Sequence, residues 1–266
     1  DMFKEYNQNR TSGNMESIWV MQLEYNTTGG GGANEDWTKR AWVPKYYNED
    51  GFVLADSLGG RGLAQIVPFK WWIDSNDFFA SSDIRNSEYN IKRNWYYNDA
   101  SSDKYGKKAE ITEETWTKFT IYPAVTKFFY GKAEDLSYGG NNKDRMKFRL
   151  AETYLLLAEA RLMQNNAQED IRPSLKQSTW LTKENIIQKK ILPYLGKRKV
   201  SEITAKDATI DFLLDERIRE LVGEELRRFT LVRTGKLVER VKKYNPHSNT
   251  MDEHHTLWPI PQTIID

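Results

Sequence analysis

Residues 147 to 162, KFRLAETYLLLAEARL, constrain the fold of this chain more than any other segment. Their apolar positions follow the repeat i, i+3, i+4, i+7 and i+11, which predicts an amphipathic helix with one buried stripe. Two of the five stripe residues are alanine, so a partner helix can approach closely, as in helix pairs of the tetratricopeptide type. Only one such helix is convincing, whereas a repeat array needs several. The stripe consists of Ala151, Tyr154, Leu155, Ala158 and Leu162.

Two later segments also have helical spacing. Residues 183 to 192 predict a short helix with Thr182 as its N-cap. Residues 210 to 222 predict a stronger helix, which either Asp207 or Thr209 can cap. The inner stripe of this second helix is formed by Leu214, Ile218, Leu221 and Val222.

The charged residues of the 210 to 222 helix are spaced as ion pairs. Asp215 and Arg219 are four residues apart, and Arg217 and Glu220 are three apart. We interpret them as ion pairs on the flank of a helix, a structural role rather than a site.

The C-terminal end is predicted to contain a further helical segment and a strap. Leu231 to Tyr244 has helical spacing and is followed by Pro246. The tail from residue 254 to 266 contains Pro259 and Pro261, which disfavour helix, so it is expected to run extended against the body.

The first half lacks a long hydrophobic period. Residues 16 to 25 alternate as a strand does, with Trp19, Met21, Leu23 and Tyr25 on one face. Four consecutive glycines at 29 to 32 predict an exposed loop. Prolines and turn residues then divide the chain up to residue 143 into short helices and hairpins. We therefore expect a loop-rich, aromatic-rich part over residues 1 to 143 and a helical part over 144 to 266.

Charge and composition exclude several classes of function. The 39 basic and 38 acidic side chains nearly cancel, so no electrostatic argument favours nucleic acid or an anionic membrane as the main partner. No apolar run is long enough to cross a bilayer. The chain has no cysteine, which excludes disulfides, thiol catalysis and cysteine-type zinc sites.

Aromatic content is the unusual feature of the composition. The chain has 9 Trp, 14 Tyr and 11 Phe, most of them in the first half among Asn, Asp, Gly and Ser. These rings either form a binding surface for flat ligands or fill an irregular interior that has few long helices.

A sugar-binding surface would use rings that loops hold out of the core, because an indole covers the apolar face of a pyranose while polar neighbours pair with its hydroxyls. The best pair of rings follows the glycine loop among polar residues, a pair of adjacent tryptophans comes second, and the Trp-Tyr-Tyr run at 95 to 97 comes third. The predicted ligand-binding residues are Asn34, Asp36, Trp37, Arg40, Trp42, Trp71, Trp72 and Trp95.

Catalytic and metal chemistry find little support in the sequence. Asp74, Asp77 and Asp83 are the only acids placed among exposed-looking rings as a glycosidase would require. His254 and His255 are adjacent, and in an extended chain they point in different directions. No nucleophile elbow or phosphate loop is present. We expect no enzyme activity, no cofactor and no metal site; calcium binding by the loop acids stays an open alternative, although no ligand spacing argues for it.

Three segments together resemble one known family. They are RLAETYLLLAEARL (149 to 162), DERIRELVGEELRRFTLVRTGKL (215 to 237) and the closing LWPIPQTIID (257 to 266). In this order they resemble the C-terminal region of the SusD/RagB family, and ESIWVMQLEY resembles the strand that opens that region. The resemblance implies a mainly α fold, with tetratricopeptide-type helices packed against an irregular loop-rich region and a few short strands.

Some features depart from the family pattern. Arg228 and Thr230 stand where the family often has an aromatic residue and an aspartate, and residues 176 to 201 are more basic and less regular than expected. The family's N-terminal half, with its lipid-modified cysteine, is not represented, so we expect a processed chain or a fragment.

The resemblance implies a non-catalytic surface lipoprotein of a Bacteroidetes-like bacterium. Members are expected to be lipid-anchored in the outer membrane, to capture a glycan or another nutrient, and to deliver it to a SusC-like TonB-dependent transporter. Any membrane contact would come only through a lipid anchor outside this chain. The alternatives are a structural lid or interaction module that barely contacts cargo, peptide rather than glycan binding, and a glycosidase.

Overall fold

The computed structural model describes residues 2–25, 27–28, 36–73, 78–79, 83–132, 134–163, 209–224, 226–248 and 250–257. The chain divides into two units, Asp1–Ala208 and Thr209–Asp266. Helices predominate in both, with a few short strands between long loops in the first, as the sequence predicts. The glycine run at 29 to 32 and the predicted helix at 183 to 192 lie outside the described residues.

The strands of the first unit pair antiparallel in two-stranded sheets. The described pairs are β1 (Ser17–Met21) with β6 (Arg145–Arg149), β2 (Ile91–Lys92) with β5 (Ala124–Val125), and β3 (Trp95–Tyr96) with β4 (Lys108–Ala109). The first of these pairs joins segments more than 120 residues apart in sequence, and the backbone N–H of Leu23 extends it by donating to Asp144 Oδ1 at 2.9 Å.

Strand β1 confirms the strand predicted for residues 16 to 25 but is shorter. Its register with β6 is irregular between Ser17 and Val20. As a result Ile18 and Trp19, which simple alternation assigns to opposite faces, are both exposed. Trp19 stacks on Phe148 of β6 with their ring centroids 5.7 Å apart.

The described helices of the first unit are α1 (Thr38–Trp42), α2 (Lys70–Ile73), α3 (Glu113–Thr117) and α4 (Leu150–Met163). Helix α4 confirms the predicted helix, and Ala151, Leu155 and Ala158 of its stripe are fully buried. It begins later than predicted because the preceding residues pair with β1. The N–H of Leu150 donates to the carbonyl of Glu16 at 2.9 Å, which joins the helix start to the beginning of β1.

Aromatic rings fill much of the interior of the first unit. Tyr46, Trp95 and Tyr122 are fully buried. The indole N–H of Trp95 donates to the carbonyl of Tyr122 at 3.0 Å, so its one polar group is satisfied inside the core. The Tyr46 hydroxyl likewise donates to the carbonyl of Ala55 and accepts from its N–H. For these rings the interior-filling interpretation is the correct one.

The second unit contains α5 (Ile210–Leu221), α6 (Arg227–Arg233) and α7 (Leu237–Tyr244). Thr209 caps α5, as predicted, by accepting a hydrogen bond from the N–H of Phe212 at 3.1 Å. Leu214, Leu231 and Leu237 form the buried cluster between the helices. The segment predicted as one helix from 231 to 244 belongs to α6 and α7, which are separated at Gly235, where the backbone is left-handed with φ +67°.

The predicted flank of surface ion pairs on α5 is wrong in part. Glu216, Arg217 and Glu220 are buried rather than solvated. Asp215 pairs with Arg240 of α7 at 2.6 Å, so this charge links two helices. Sequence spacing within a helix does not show which of its faces another helix will cover.

The predicted C-terminal strap lies mostly outside the described residues. Glu253–Thr256 form a short 3-10 turn instead of an extended segment. Among the described residues, no helix combines the length and apolar character needed to cross a membrane.

Candidate ligand-binding surface

Trp37 and Arg40 form an exposed ring and cation pair at the start of α1. Asp36 Oδ1 accepts from the N–H of Thr38 at 2.8 Å, and this bond begins the helix and leaves Trp37 just before its first turn. The Trp37 side chain is 43% exposed. The guanidinium carbon of Arg40 lies 4.5 Å from the centroid of the Trp37 ring, within the range of a cation–π contact.

Asp36 itself is a structural residue rather than a ligand-facing one. It is 4% exposed and lies 3.4 Å from Arg145 Nη1, so it ties the start of α1 to β6. Its Oδ2 has no hydrogen-bond partner among the described residues. Burial of the carboxylate against Thr38 and Arg145 contradicts the prediction that Asp36 pairs with ligand hydroxyls. Asn34 lies outside the described residues.

Lys39 connects α1 to the segment around Tyr138. The side chain is fully buried, and its Nζ donates to the carbonyl of Tyr138. The ammonium also lies 5.8 Å from the ring centroid of Tyr130 and 5.6 Å from that of Tyr138. Burial lowers the pKa of Lys39 to about 8.

A second exposed ring, Tyr25, lies against the same segment. Its ring meets Tyr138 edge to face at 5.3 Å, and Lys132 Nζ lies 3.4 Å from its centroid. Tyr25 is 47% exposed. Because Gly139 packs against Arg40, the consecutive residues Tyr138 and Gly139 support both the Tyr25 ring and the Arg40 guanidinium that lies on Trp37.

A cleft of about 540 Å³ opens beside Tyr25. Tyr130 and Asn142, both largely buried, form part of its wall, and Lys132 supplies a cation. Phenol, carboxylate, amide and ammonium groups together can donate to and accept from the hydroxyls of a polar ligand. The remaining rings and acids that line it are Tyr6, Glu5, Glu24, Asp56 and Glu134.

Tyr6 enters this cleft on a strained backbone. Its φ is +66°, a left-handed conformation that a tyrosine rarely adopts, and its side chain is 78% exposed. The neighbouring Glu5 carboxylate raises the pKa of the Tyr6 hydroxyl. Burial, followed by Glu5, raises the pKa of Tyr130 as well. Both phenols therefore stay protonated and able to donate at neutral pH.

Sequence reasoning missed Tyr6, Tyr25 and Lys132. Tyr25 is the last residue of an alternating run, which predicts a strand face for it, and no motif marks the other two. Their proximity depends on the pairing of β1 with β6, which brings the chain around residue 25 next to that around residue 138.

The other predicted rings are less accessible. Trp42 is half-buried and stacks on Phe128 at 4.8 Å, and Trp71 is half-buried with its ring edge to face with Phe78. Trp72 and Trp95 are buried, so their assignment to a ligand surface is wrong. Two adjacent tryptophans in the short helix α2 point to different sides, and one of them is thereby turned into the core.

The acids considered for glycoside hydrolysis have no catalytic arrangement in the described residues. Asp83 accepts from the backbone N–H of Arg85 and from its guanidinium, with Nε at 2.9 Å and Nη2 at 2.6 Å, and its side chain is mostly buried. Such a pair stabilises the ionised carboxylate and keeps both of its oxygens hydrogen-bonded to Arg85. Asp74 and Asp77 lie outside the described residues.

Comparison with known proteins identifies the family. The chain matches the SusD family model over residues 2–266. This chain belongs to the SusD family. A search of curated proteins gave no match.

Solved structures extend the SusD-family assignment to the fold. Surface glycan-binding protein A from Bacteroides thetaiotaomicron is 20% identical with a TM-score of 0.61, and 100% of this chain aligns with 52% of that one. A second structure of that protein is a complex with laminarihexaose. A SusD superfamily protein from Bacteroides vulgatus is 18% identical with a TM-score of 0.59, with coverages of 96% and 52%.

These identities are low, so the structures establish the SusD-like fold that the sequence predicts and nothing about the ligand. The chain spans about half the length of these SusD structures. The division of this SusD-family chain at residue 143 stays a prediction.

Proposed function

We propose that this SusD-family chain takes part in the non-catalytic capture of a glycan at the surface of a bacterial cell. One observation carries the proposal. Two exposed rings lie next to the consecutive residues Tyr138 and Gly139. Tyr25 contacts Tyr138 directly, and Trp37 lies under Arg40, which packs against Gly139. A polar cleft adjoins Tyr25. Rings of this kind cover the apolar face of a pyranose, while the polar groups of the cleft bind its hydroxyls.

Membership of the SusD family supports the proposal of glycan capture independently of the geometry. A structure of the Bacteroides thetaiotaomicron glycan-binding protein, which has this fold, is a complex with laminarihexaose, a glucose oligosaccharide. We therefore include oligosaccharides of glucose among the first ligands to test. Outer-membrane location through a lipid anchor, and delivery of the glycan to a SusC-like TonB-dependent transporter, complete the proposal and rest on the family resemblance.

A binding experiment on the full-length protein tests the proposal. Isothermal titration calorimetry would measure affinity for a panel of polysaccharides and oligosaccharides, for the wild type and for Trp37→Ala and Tyr25→Ala. We expect each substitution to weaken binding roughly tenfold, which corresponds to about 1.4 kcal/mol. Tyr105→Ala is the control, because Tyr105 is also an exposed ring but does not line the cleft.

Two results would count against glycan capture. One is an absence of binding to every glycan of the panel by the wild type. The other is equal affinity in the two site variants and the control. A reducing-sugar assay on the same panel tests the non-catalytic part, and release of new reducing ends would contradict it.

A protein-contact role is the second candidate function, and a specific observation favours it. On the β1–β6 pair, Ile18, Trp19 and Phe148 are all about half exposed. An exposed apolar patch of this kind marks contact with another protein in many structures. If the chain acts mainly as a lid for the transporter, Trp19→Ser with Phe148→Ser will abolish glycan uptake by cells while Trp37→Ala leaves it unchanged.

A further inference from the structure

The short turn at Asp252–Thr256 brings two histidines and a carboxylate together. Asp252 Oδ1 accepts from the N–H of His254 at 3.0 Å, and the N–H of Asp252 donates to His255 Nδ1 at 3.2 Å. This reciprocal capping turns both imidazoles to the same side, with ring centroids 3.8 Å apart. The expectation that the adjacent histidines point in different directions is wrong, because the backbone is a 3-10 turn and not extended.

The nitrogen and oxygen atoms of this turn converge. His255 Nδ1 lies 3.3 Å from Asp252 Oδ1, and His254 Nδ1 contacts the same oxygen. One ligand atom from each of the three residues lies within 4.8 Å of the others. The group is exposed to solvent, most of all His254. The three side chains are therefore accessible to an ion from solution, and a metal bound at His255 Nδ1 would take the place of the Asp252 N–H there.

The turn is also held from outside. Arg228 of α6 donates from Nη2 to the carbonyl of His255 and, at 3.1 Å, to that of Leu257. These bonds join the turn to a helix, so part of the entropy of ordering the ligands is already lost in the folded chain.

We propose that Asp252, His254 and His255 form a binding site for a divalent transition-metal ion. Two imidazole nitrogens and one carboxylate oxygen suit zinc, nickel and copper, and are a poor set for calcium or magnesium, which prefer oxygen ligands alone. Three protein ligands on an exposed turn leave further coordination positions for water or for a donor from another molecule.

Protons compete with the metal at this site. A metal binds an imidazole nitrogen through its lone pair, so only a protonated imidazole has to release a proton to solvent before it can bind. Binding is therefore expected to weaken as the solution becomes acidic. Between metals, affinity is expected to follow copper above nickel and zinc.

The small number of histidines and the lack of cysteine simplify the test. The chain has three histidines and no cysteine, and the third histidine, His247, is outside the cluster. The experiment uses tag-free full-length protein titrated with zinc, nickel and copper chlorides by isothermal titration calorimetry in a non-coordinating buffer. The variants are His254→Ala with His255→Ala as a double substitution, each single substitution, and His247→Ala as the matched control.

We expect the wild type and His247→Ala to bind one ion per chain, each single variant to bind at least about tenfold more weakly, and the double variant to lose the site. Electron paramagnetic resonance of the copper complex should show nitrogen coordination that disappears in the double variant. Circular dichroism establishes that the variants are folded.

Wild-type protein that binds none of the three metals would overturn the proposal. So would a double variant that retains the wild-type stoichiometry and affinity. Glycan affinity is measured in parallel, and because these residues lie outside the proposed glycan surface, it is expected to be the same with and without the histidines.

Discussion

The guanidinium of Arg40 lies directly against the backbone of Gly139, so closely that a Cβ on this glycine would come within 1.8 Å of Arg40 Nη2. The same guanidinium covers the ring of Trp37. Because Gly139 has no side chain, Arg40 can occupy this space and lie on Trp37.

Gly139→Ala is predicted to weaken glycan binding with little effect on stability. The added methyl displaces the far end of a flexible side chain, which moves without disturbing the core. We expect the melting temperature to change little and the affinity for the glycan to fall several-fold, as measured by calorimetry. Unchanged affinity in a folded variant would show that Arg40 does not position Trp37 for the ligand.

Gly131→Ala is predicted to lower the stability of the fold. A Cβ on Gly131, at the edge of the cleft, would lie 2.2 Å from the Cα of Asp56, a backbone atom that cannot rotate away. We expect a loss of roughly 1–3 kcal/mol in the free energy of unfolding, from urea titration. Gly106→Ala is the control with open space around it, and strain from its left-handed backbone is the main cost there.

The buried ion pair of Glu16 and Arg149 is predicted to be a major determinant of stability. Their nitrogen and oxygen atoms are 2.5 Å apart, and both side chains are 2% exposed. Arg149→Met leaves the Glu16 carboxylate buried without this partner, so we expect a loss of about 3–5 kcal/mol in the free energy of unfolding.

A matched pair on the surface provides the control for this substitution. Lys118→Met breaks an exposed pair with Glu114 on α3, and we expect no measurable change in the urea midpoint. Equal effects from Arg149→Met and Lys118→Met would contradict the role assigned to burial.

Trp95 is predicted to contribute mainly to stability, and Trp37 mainly to binding. Trp95→Ala removes a fully buried ring that also stacks near Tyr46, and it should cost about 3–5 kcal/mol in the free energy of unfolding. Trp37→Ala should cost less than about 1 kcal/mol, because the ring is largely outside the core. Thermal unfolding followed by circular dichroism measures both, and a comparable loss in the two variants would place Trp37 in the core.

Stability is predicted to rise with pH between about 8 and 10. Burial lowers the pKa of Lys39 and of Lys143 from 10.5 to about 8, so in this window the unfolded chain binds more protons than the folded one. The free energy of unfolding then increases with pH, by up to about 1.4 kcal/mol per pH unit for each lysine.

Above about pH 10 the trend should reverse. Burial raises the pKa of Tyr46 to about 12 and also raises that of Tyr122, so the unfolded chain loses these protons first. Urea titrations at pH values below and above about 10 would check the rise and the fall in the free energy of unfolding. Lys143→Met should reduce the rise between about pH 8 and 10. A free energy of unfolding that falls between pH 8 and 10 would contradict the lowered pKa values of Lys39 and Lys143.

Local patterns in the sequence predicted local structure well. The stripe of α4 and the Thr209 cap of α5 depend on residues a few positions apart, and both are confirmed. The exposure of Trp37 after the glycine run was also expected from local composition. In contrast, Trp72 and Trp95 stand in similar polar surroundings in the sequence and yet are buried.

From the sequence alone came the SusD family, helices α4 and α5 and the excess of aromatic rings, because helical periodicity, caps and composition are properties of neighbouring residues. Only the tertiary structure decided which rings face solvent and that Tyr25 meets Tyr138 beside a cleft. Those positions depend on the antiparallel pairing of β1 with β6, which joins residues more than 120 positions apart. Burial of a side chain is decided by what such distant segments cover, and no local pattern encodes that.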